Sequence, residues 1–474
     1  MAQPTPPSPP TPPSQPTPPS RGGIGRVISA SLIGTTIEWY DFFLYGSAAA
    51  LVFNKLFFPS SEPLVGTLLA FLTYAIGFAA RPLGGLVFGH YGDKIGRKKL
   101  LVLSLLLMGG ATFAMGLLPT HASIGVGAPI LLTLLRLVQG FALGGEWGGA
   151  VLLVSEHGDD KNRGFWASWP QAGAPGGNLL ATGVLALLAA VQSEEAFLAW
   201  GWRIPFLLSG VLVVIGLWIR VSVSESPLFL EARAKAAEEA AAAGVKETLP
   251  ITEVFRSHWR SVLTAIGTRL GENISYYILT AFLLVYVTTH LGLSKSQGLN
   301  AALIGSAVHF VTIPAWGALS DRIGRRPVTL IGSIGMTGWA FVFFTMLDTK
   351  SFPVIAAAVT IGLVLHGAMY GPQAAFISEM FDTRVRYSGA SMGSQLASII
   401  GGALAPIVAV ALLDGYGSSL PISVYLAVAT LVTTLTVLVA RETRGRSLAQ
   451  DHEPAGPAVP GSRRPAHESI PADR

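Results

Sequence analysis

The chain contains no cysteine. That excludes disulfide cross-links, thiolate metal sites and thiol nucleophiles together. Charge is nearly as scarce. Asp, Glu, Lys and Arg make up 12% of the 474 residues, against about 25% in a typical soluble domain. Signatures of chemistry are also missing. There is no Gly-rich loop ending in Lys-Ser/Thr, no paired-histidine metal spacing and no nucleophile elbow. The expectation is therefore a non-enzyme with no cofactor and no metal. With no ATP site, any work it does has to draw on an ion gradient or on its substrate. The N-terminal segment lacks the apolar core of a secretory signal.

What is present is apolar. Hydrophobic residues make up 51% of the chain, and mean hydropathy is +0.53. Runs long enough to cross a bilayer lie near 27–53, 64–89, 100–119, 129–154, 164–191 and 200–222, then near 258–289, 297–318, 328–347, 353–379, 386–412 and 420–440. The expected fold is all-α and integral to the membrane, with twelve spans as two pseudo-symmetric six-helix bundles, 26–222 and 258–440. Residues 1–25, rich in Pro, Ser and Thr, read as a disordered tail, and 441–474 as a second one. The charged, Ala-rich stretch 223–257 reads as a connecting helix or linker.

The two halves are repeats. Gly89-His90-Tyr91-Gly92-Asp93-Lys94-Ile95-Gly96-Arg97-Lys98-Lys99 returns as Gly317-Ala318-Leu319-Ser320-Asp321-Arg322-Ile323-Gly324-Arg325-Arg326-Pro327. Ser155-Glu156, Asp159 and Arg163 return as Ser378-Glu379, Asp382 and Arg386. Lys and Arg gather in one set of loops, and the opposite set holds little beyond Lys55, Lys295 and Lys350. By the positive-inside rule the basic set and both termini face the cytoplasm of a plasma membrane. The net charge of +5 is then a matter of topology and of the anionic inner leaflet, not of nucleic-acid binding. The two turns suggest an ion-paired cytoplasmic gate of Gly89, Asp93, Lys94, Gly96, Arg97 and Glu156 with Asp321, Arg325 and Glu379. The plainer alternative is a solvated basic turn. The Asp of each turn is placed to pair with an Arg or to cap the following helix.

These turns resemble the signature loop of the major facilitator superfamily. Gly34-Thr35-Thr36-Ile37-Glu38-Trp39-Tyr40-Asp41-Phe42, Arg81-Pro82-Leu83-Gly84-Gly85, Arg136-Leu137-Val138-Gln139-Gly140, Gly144-Gly145-Glu146-Trp147 and Trp202-Arg203-Ile204-Pro205-Phe206 are similar to its metabolite:proton symporters. That family includes carriers of shikimate, α-ketoglutarate, citrate, aromatic acids and proline/betaine. The resemblance implies alternating access with a small organic acid and protons as partners, the bilayer as environment, and a working monomer. Proline/betaine uptake, efflux, and a transporter-like sensor are the alternatives.

A charge inside a bilayer costs several kcal/mol unless paired or wetted, so each is a candidate. Glu38 and Asp41 share a face of span one. Asp41 is the expected proton carrier, with Glu38 beside it. By resemblance to sugar porters Arg136 is its partner, and Gln139 lies one turn along. Arg269 is expected to meet a substrate carboxylate, with an ion pair to Glu272 as the alternative. Tyr276, Trp169, Gln171, Asn178 and Gln395 are expected to line the cavity. Arg81 and Glu146 either join the gate, serve the proton route or simply pair. Arg203 is expected to snorkel to the interface. His309 and His366 read as separate core histidines bonded to backbone carbonyls, with proton relay as the alternative. Gly140, Gly144 and Gly148 suit close helix contact, and Gly173, Pro175, Gly176 and Gly177 suit a bend in span five.

Overall fold

A computed structural model describes residues 21–59, 63–95, 97–144, 154, 160–222, 258–381 and 386–446. The linker 223–257, most of both tails, Gly96, Glu146, Gly148 and Glu156 lie outside the described residues. The described chain is helical throughout. Its rods are α1 (Arg21–Ala48), α2 (Pro63–Ile95), α3 (Arg97–Leu117), α4 (Gly127–Gly144), α5 (Arg163–Val191) and α6 (Arg203–Ser222). They are followed by α7 (Trp259–His290), α8 (Lys295–Ile323), α9 (Arg325–Leu347), α10 (Phe352–Ser378), α11 (Arg386–Ala397, continuing to Tyr416) and α12 (Leu420–Val439). This is the twelve-helix arrangement the apolar runs predict.

Nine of the described helices are long and apolar enough to span by composition alone. A tenth counts if Glu194–Gly201 and Arg203–Ile219, bent by 43°, are one span. The other two are α1, which carries Glu38 and Asp41, and α3, whose apolar stretch is Val102–Leu117. In α1 the two acids interrupt the apolar run. α1 begins at Arg21, inside the stretch read as a tail.

The molecule is apolar outside and polar within. Leu83, Leu187, Val214, Trp218 and Val311 are exposed, while Asp41, Arg81, Arg136, Arg269 and Glu272 are buried. In water that distribution would be unstable; in lipid it is what the solvent selects. The two halves meet where α5 packs on α8 and where α2 packs on α11. Since 2 corresponds to 8 and 5 to 11 in the repeat, these two seams are related by the internal symmetry.

Glycines allow the closest approaches. A Cβ on Gly140 would fall 2.0 Å from the Gly77 carbonyl oxygen, and one on Gly144 would fall 1.9 Å from that of Arg81. α2 and α4 therefore touch backbone to backbone. The glycines of span five do the same against α1: a Cβ on Gly177 would lie 2.5 Å from the Tyr40 nitrogen. α5 runs as one unbroken helix through Pro170 and Pro175. The helices widen instead as π-helical turns at Ala49–Phe53 directly after α1, Ile278–Phe282 and Tyr286–His290 in α7, and Ser398–Ala403 in α11. Wider turns of this kind concentrate at functional sites.

Candidate functional site: a buried charge layer between two bundles

In the N-terminal bundle Asp41 is fully buried, and neither carboxylate oxygen has a hydrogen-bond partner. Arg136, on α4, is buried as well. Its Nη1 donates to Gln139 Oε1, while Nε and Nη2 are unpartnered. Gln139 Nε2 donates to Thr112 Oγ1 at 2.8 Å and approaches the Asp41 carbonyl oxygen at 3.5 Å. The expected Asp41–Arg136 ion pair is therefore not formed in this state. Gln139 takes one Arg136 donor, and its own amide turns to Thr112 and the Asp41 backbone carbonyl, not to the carboxylate. The Arg136 guanidinium instead lies over the rings of Tyr45 (4.3 Å), Tyr74 (4.6 Å) and Phe42 (4.8 Å). Gly77 makes room for it, since a Cβ there would meet Arg136 Nε at 2.5 Å.

Arg81, on α2, is in a similar position. Its guanidinium lies 4.1 Å over Phe78 and 4.5 Å over Phe42, and its Nε and Nη2 are unpartnered. Among the described residues no carboxylate forms an ion pair with Arg81 or Arg136. Aromatic faces stabilise a desolvated cation, yet they satisfy no N–H. Glu38 is buried on the same helix as Asp41.

In the C-terminal bundle the charges are paired. Arg269 Nε lies 3.8 Å from Glu272 Oε2, and Arg269 Nη1 donates to Ser394 Oγ at 3.0 Å. The weighed alternative, an ion pair within α7, is thus what forms. Glu272 also accepts from Asn273 Nδ2 at 3.1 Å and Gln373 Nε2 at 3.2 Å, and pairs with His366 Nε2 at 3.1 Å. His366 Nδ1 is 3.0 Å from His309 Nε2. The two histidines therefore bond each other and not backbone carbonyls. They lie 57 positions apart, on α8 and α10, so no sequence pattern joins them.

An aromatic layer separates the two charge clusters. The Tyr276 ring packs at a tilt against His366 at 4.9 Å and against Phe43 of α1 at 5.3 Å, and its hydroxyl is unpartnered. Tyr277 contacts Phe78 and Tyr74 across the halves. Gln171 is buried with its Nε2 unpartnered. Trp169 is half-buried, edge-on to Phe165. Gln395 Nε2 reaches toward the Gly144 carbonyl at 3.5 Å across the interface. Among the described residues a small cavity of about 10 Å³ is lined by Phe43, Ser47, Tyr74, Asn178, Thr182 and Thr280 among others. It has room for roughly one water. Of the residues expected to line a substrate cavity Asn178 borders it, while the Arg heads lie under aromatic rings.

The basic face is closed by a buried network. Glu379 accepts from Arg163 Nη1 at 3.0 Å, from Arg325 Nη2 at 3.2 Å and from Thr443 Oγ1 at 2.6 Å. Arg325 also pairs with Asp321 at 2.6 Å. Asp321 accepts from the backbone N–H groups of Gly164 and Phe165, each at 2.8 Å. Of the two roles expected for this Asp, pairing with an Arg is the one it fills, and the helix start it caps is that of α5 in the other half. Glu442 occupies the N-terminus of α9 instead, accepting from Arg325 N at 2.9 Å and Arg326 N at 3.0 Å. Residues 441–446, read as the start of a disordered tail, are docked there, and Arg163 donates to the Arg446 carbonyl at 2.9 Å. In the first repeat Gly89, Asp93, Lys94 and Arg97 are helical, but their side chains lie outside the description, as do Gly96 and Glu156. On the opposite face Glu194 Oε1 receives Lys55 and Lys295, both at 2.9 Å, and so ties the halves. Those two lysines hold its carboxyl down at about 2. Arg203, expected at the lipid interface, donates to the Gly116 and Leu118 carbonyls at the end of α3.

A family model described as "Sugar (and other) transporter" matches residues 27–453. The chain belongs to that transporter family. It is 41% identical to the shikimate transporter of Escherichia coli over 421 residues, 88% of this chain and 95% of that one. It is 36% identical to the proline/betaine transporter of Salmonella typhimurium over 432 residues, 90% of this chain and 85% of that one. Among solved structures, a D-xylose–proton symporter superposes with a TM-score of 0.69 at 18% identity, covering 90% of this chain and all of the other. The transporter therefore has the major facilitator fold, is a multi-pass membrane protein, and is not an enzyme.

Proposed function

We propose that this transporter imports a small organic acid anion together with protons, by alternating access. The observation that carries the reading is the N-terminal charge layer. Asp41 and the guanidiniums of Arg81 and Arg136 are buried with unused hydrogen-bonding capacity. Unpaired buried charge is costly, so the site is suited to gaining something. A substrate carboxylate would supply two acceptors to donors that now face only rings, and a proton would neutralise Asp41.

The energetics agree. An anion entering a negative-inside cell works against about 2.3 kcal/mol per charge at 100 mV. One proton moved per negative charge removes that term. The basic face, with the Glu379 network, is the cytoplasmic gate; the Glu194 tie is its lighter counterpart outside. Residues 26–222 and 258–440 are the bundles that rock, and both termini are cytoplasmic. Trp169, Gln171, Tyr276 and Gln395 come to line the path once the halves part. The relative that transports shikimate supports a cyclic hydroxy-acid as the first substrate to try. A second reading, uptake of a zwitterion such as proline or betaine, is supported by the relatives that carry those names.

The test is radiolabelled uptake into proteoliposomes over a panel of shikimate, aromatic acids, di- and tricarboxylates, proline and betaine, with and without a pH gradient. Accumulation of an acid that collapses with a protonophore is expected. Asp41→Asn should abolish that accumulation and leave substrate exchange intact. Uptake indifferent to the pH gradient would overturn the symport reading.

A further inference from the structure

We infer that Glu272, His366 and His309 form a second proton-binding site, in the C-terminal bundle and separate from Asp41. This rests on the proton-coupled reading above and extends it. The three groups come from α7, α10 and α8 and are linked in series at 3.1 Å and 3.0 Å. All three are buried. The carboxylate end is held by Asn273, Gln373 and Arg269.

The order of the links fixes the protons. A carboxylate only accepts, so His366 Nε2 carries hydrogen toward Glu272. In a neutral ring the other nitrogen is then an acceptor, so His366 Nδ1 receives the Nε2 hydrogen of His309. That leaves His309 Nδ1 with a lone pair, and this atom is buried without a hydrogen-bond partner. The chain therefore ends in an open acceptor. A proton added at His309 Nδ1 passes one hydrogen from His309 Nε2 to His366 Nδ1 and one from His366 Nε2 to Glu272 Oε1. The sum is one proton gained, a neutral Glu272, and two neutral rings in the opposite tautomer. The groups that face the site are Arg269, Tyr276 and Tyr277 of α7 and Tyr370 of α10, with Arg81 across the interface beside Tyr277 and Arg269. Neutral Glu272 weakens its pair with Arg269, which leaves that guanidinium's charge available to an anion. Proton and anion binding are then coupled in this half as well.

A purely structural tie would look the same in a single state but would not titrate as a unit. The full chain, labelled with 15N-histidine and held in lipid nanodiscs, is followed by NMR between about pH 4 and 9, where histidine ordinarily ionises. His309→Asn and His366→Asn assign the two signals among the nine histidines. The expectation is that both rings switch in one shared step, that Asp41→Asn preserves the step, and that Glu272→Gln removes it. Rings that titrate separately, that never titrate, or that titrate unchanged in Glu272→Gln would overturn the site. Should Glu272→Gln not fold, His309→Asn substitutes: an unaltered His366 titration there is equally fatal. The readout needs no substrate. A wild type that accumulates no acid while showing the shared step sinks the transport reading alone; normal uptake without the step sinks only this one.

Discussion

Asp321→Asn isolates the contact between halves at the basic face. Asp321 now accepts from two N–H groups at the start of α5 and from Arg325, at 2.8, 2.8 and 2.6 Å. An amide keeps one oxygen and loses the charge, so at least one charge-assisted bond across the seam disappears. Such bonds are worth about 1.5–3 kcal/mol each, and the favourable end of the α5 dipole is lost with it. Taking about 2 kcal/mol as the shift, the closed-to-open ratio at this face falls roughly thirtyfold, since each 1.4 kcal/mol is a factor of ten. The chain has no cysteine, so a single reporter is clean. Ala167 is fully buried against Ala374 and Ala375 of the other half. Ala167→Cys should react with an impermeant maleimide from the basic face about thirty times faster when Asp321→Asn is added, on the same conversion. A rate unchanged within about twofold would mean the seam is held by something else, and the gate assignment would fall.

Other outcomes follow from the same geometry. Arg136→Ala should weaken binding of the transported acid by about 10- to 150-fold, the range for losing a charge-assisted bond, measured as the apparent affinity for exchange. On the opposite face, Glu194 is held at about 2 by Lys295 and Lys55, below its ordinary 4.5. A carboxyl so depressed contributes above the ordinary value and loses its contribution as pH falls toward 2. Outer-face cysteine labelling should therefore stay flat from neutral pH to about 5 and rise only below it, whereas Glu194→Gln should raise it throughout. Gly140→Ala places a methyl where only 2.0 Å separates it from the Gly77 carbonyl; thermal unfolding in detergent should drop by an amount reflecting about 1–3 kcal/mol of overpacking.

The rods, their number and the repeat were readable along the chain, because burial in lipid is written in runs of composition. So were several sites of charge: Asp41, Arg136, Arg269 and Glu272 are all buried where the apolar runs placed them. Their partners were not. Asp41 and Arg136 were expected to pair, and Arg136 instead bonds Gln139 and lies over aromatic rings. Asp321 caps α5 and not α9, since Glu442 of the presumed tail already fills that position. His309 and His366 looked solitary because their separation has no helical period.

Sequence by itself determined where each helix runs, which side chains it carries inward, and that the second half repeats the first. Only the folded chain decided which of those side chains meet: the Glu272–His366–His309 series, the Glu379 cluster and the Glu194 tie each join different helices. Periodicity is a property of one helix, fixed by its pitch. A partnership is a property of how two helices pack, and here glycine contacts such as Gly140 on Gly77 set the distances that a linear pattern does not contain.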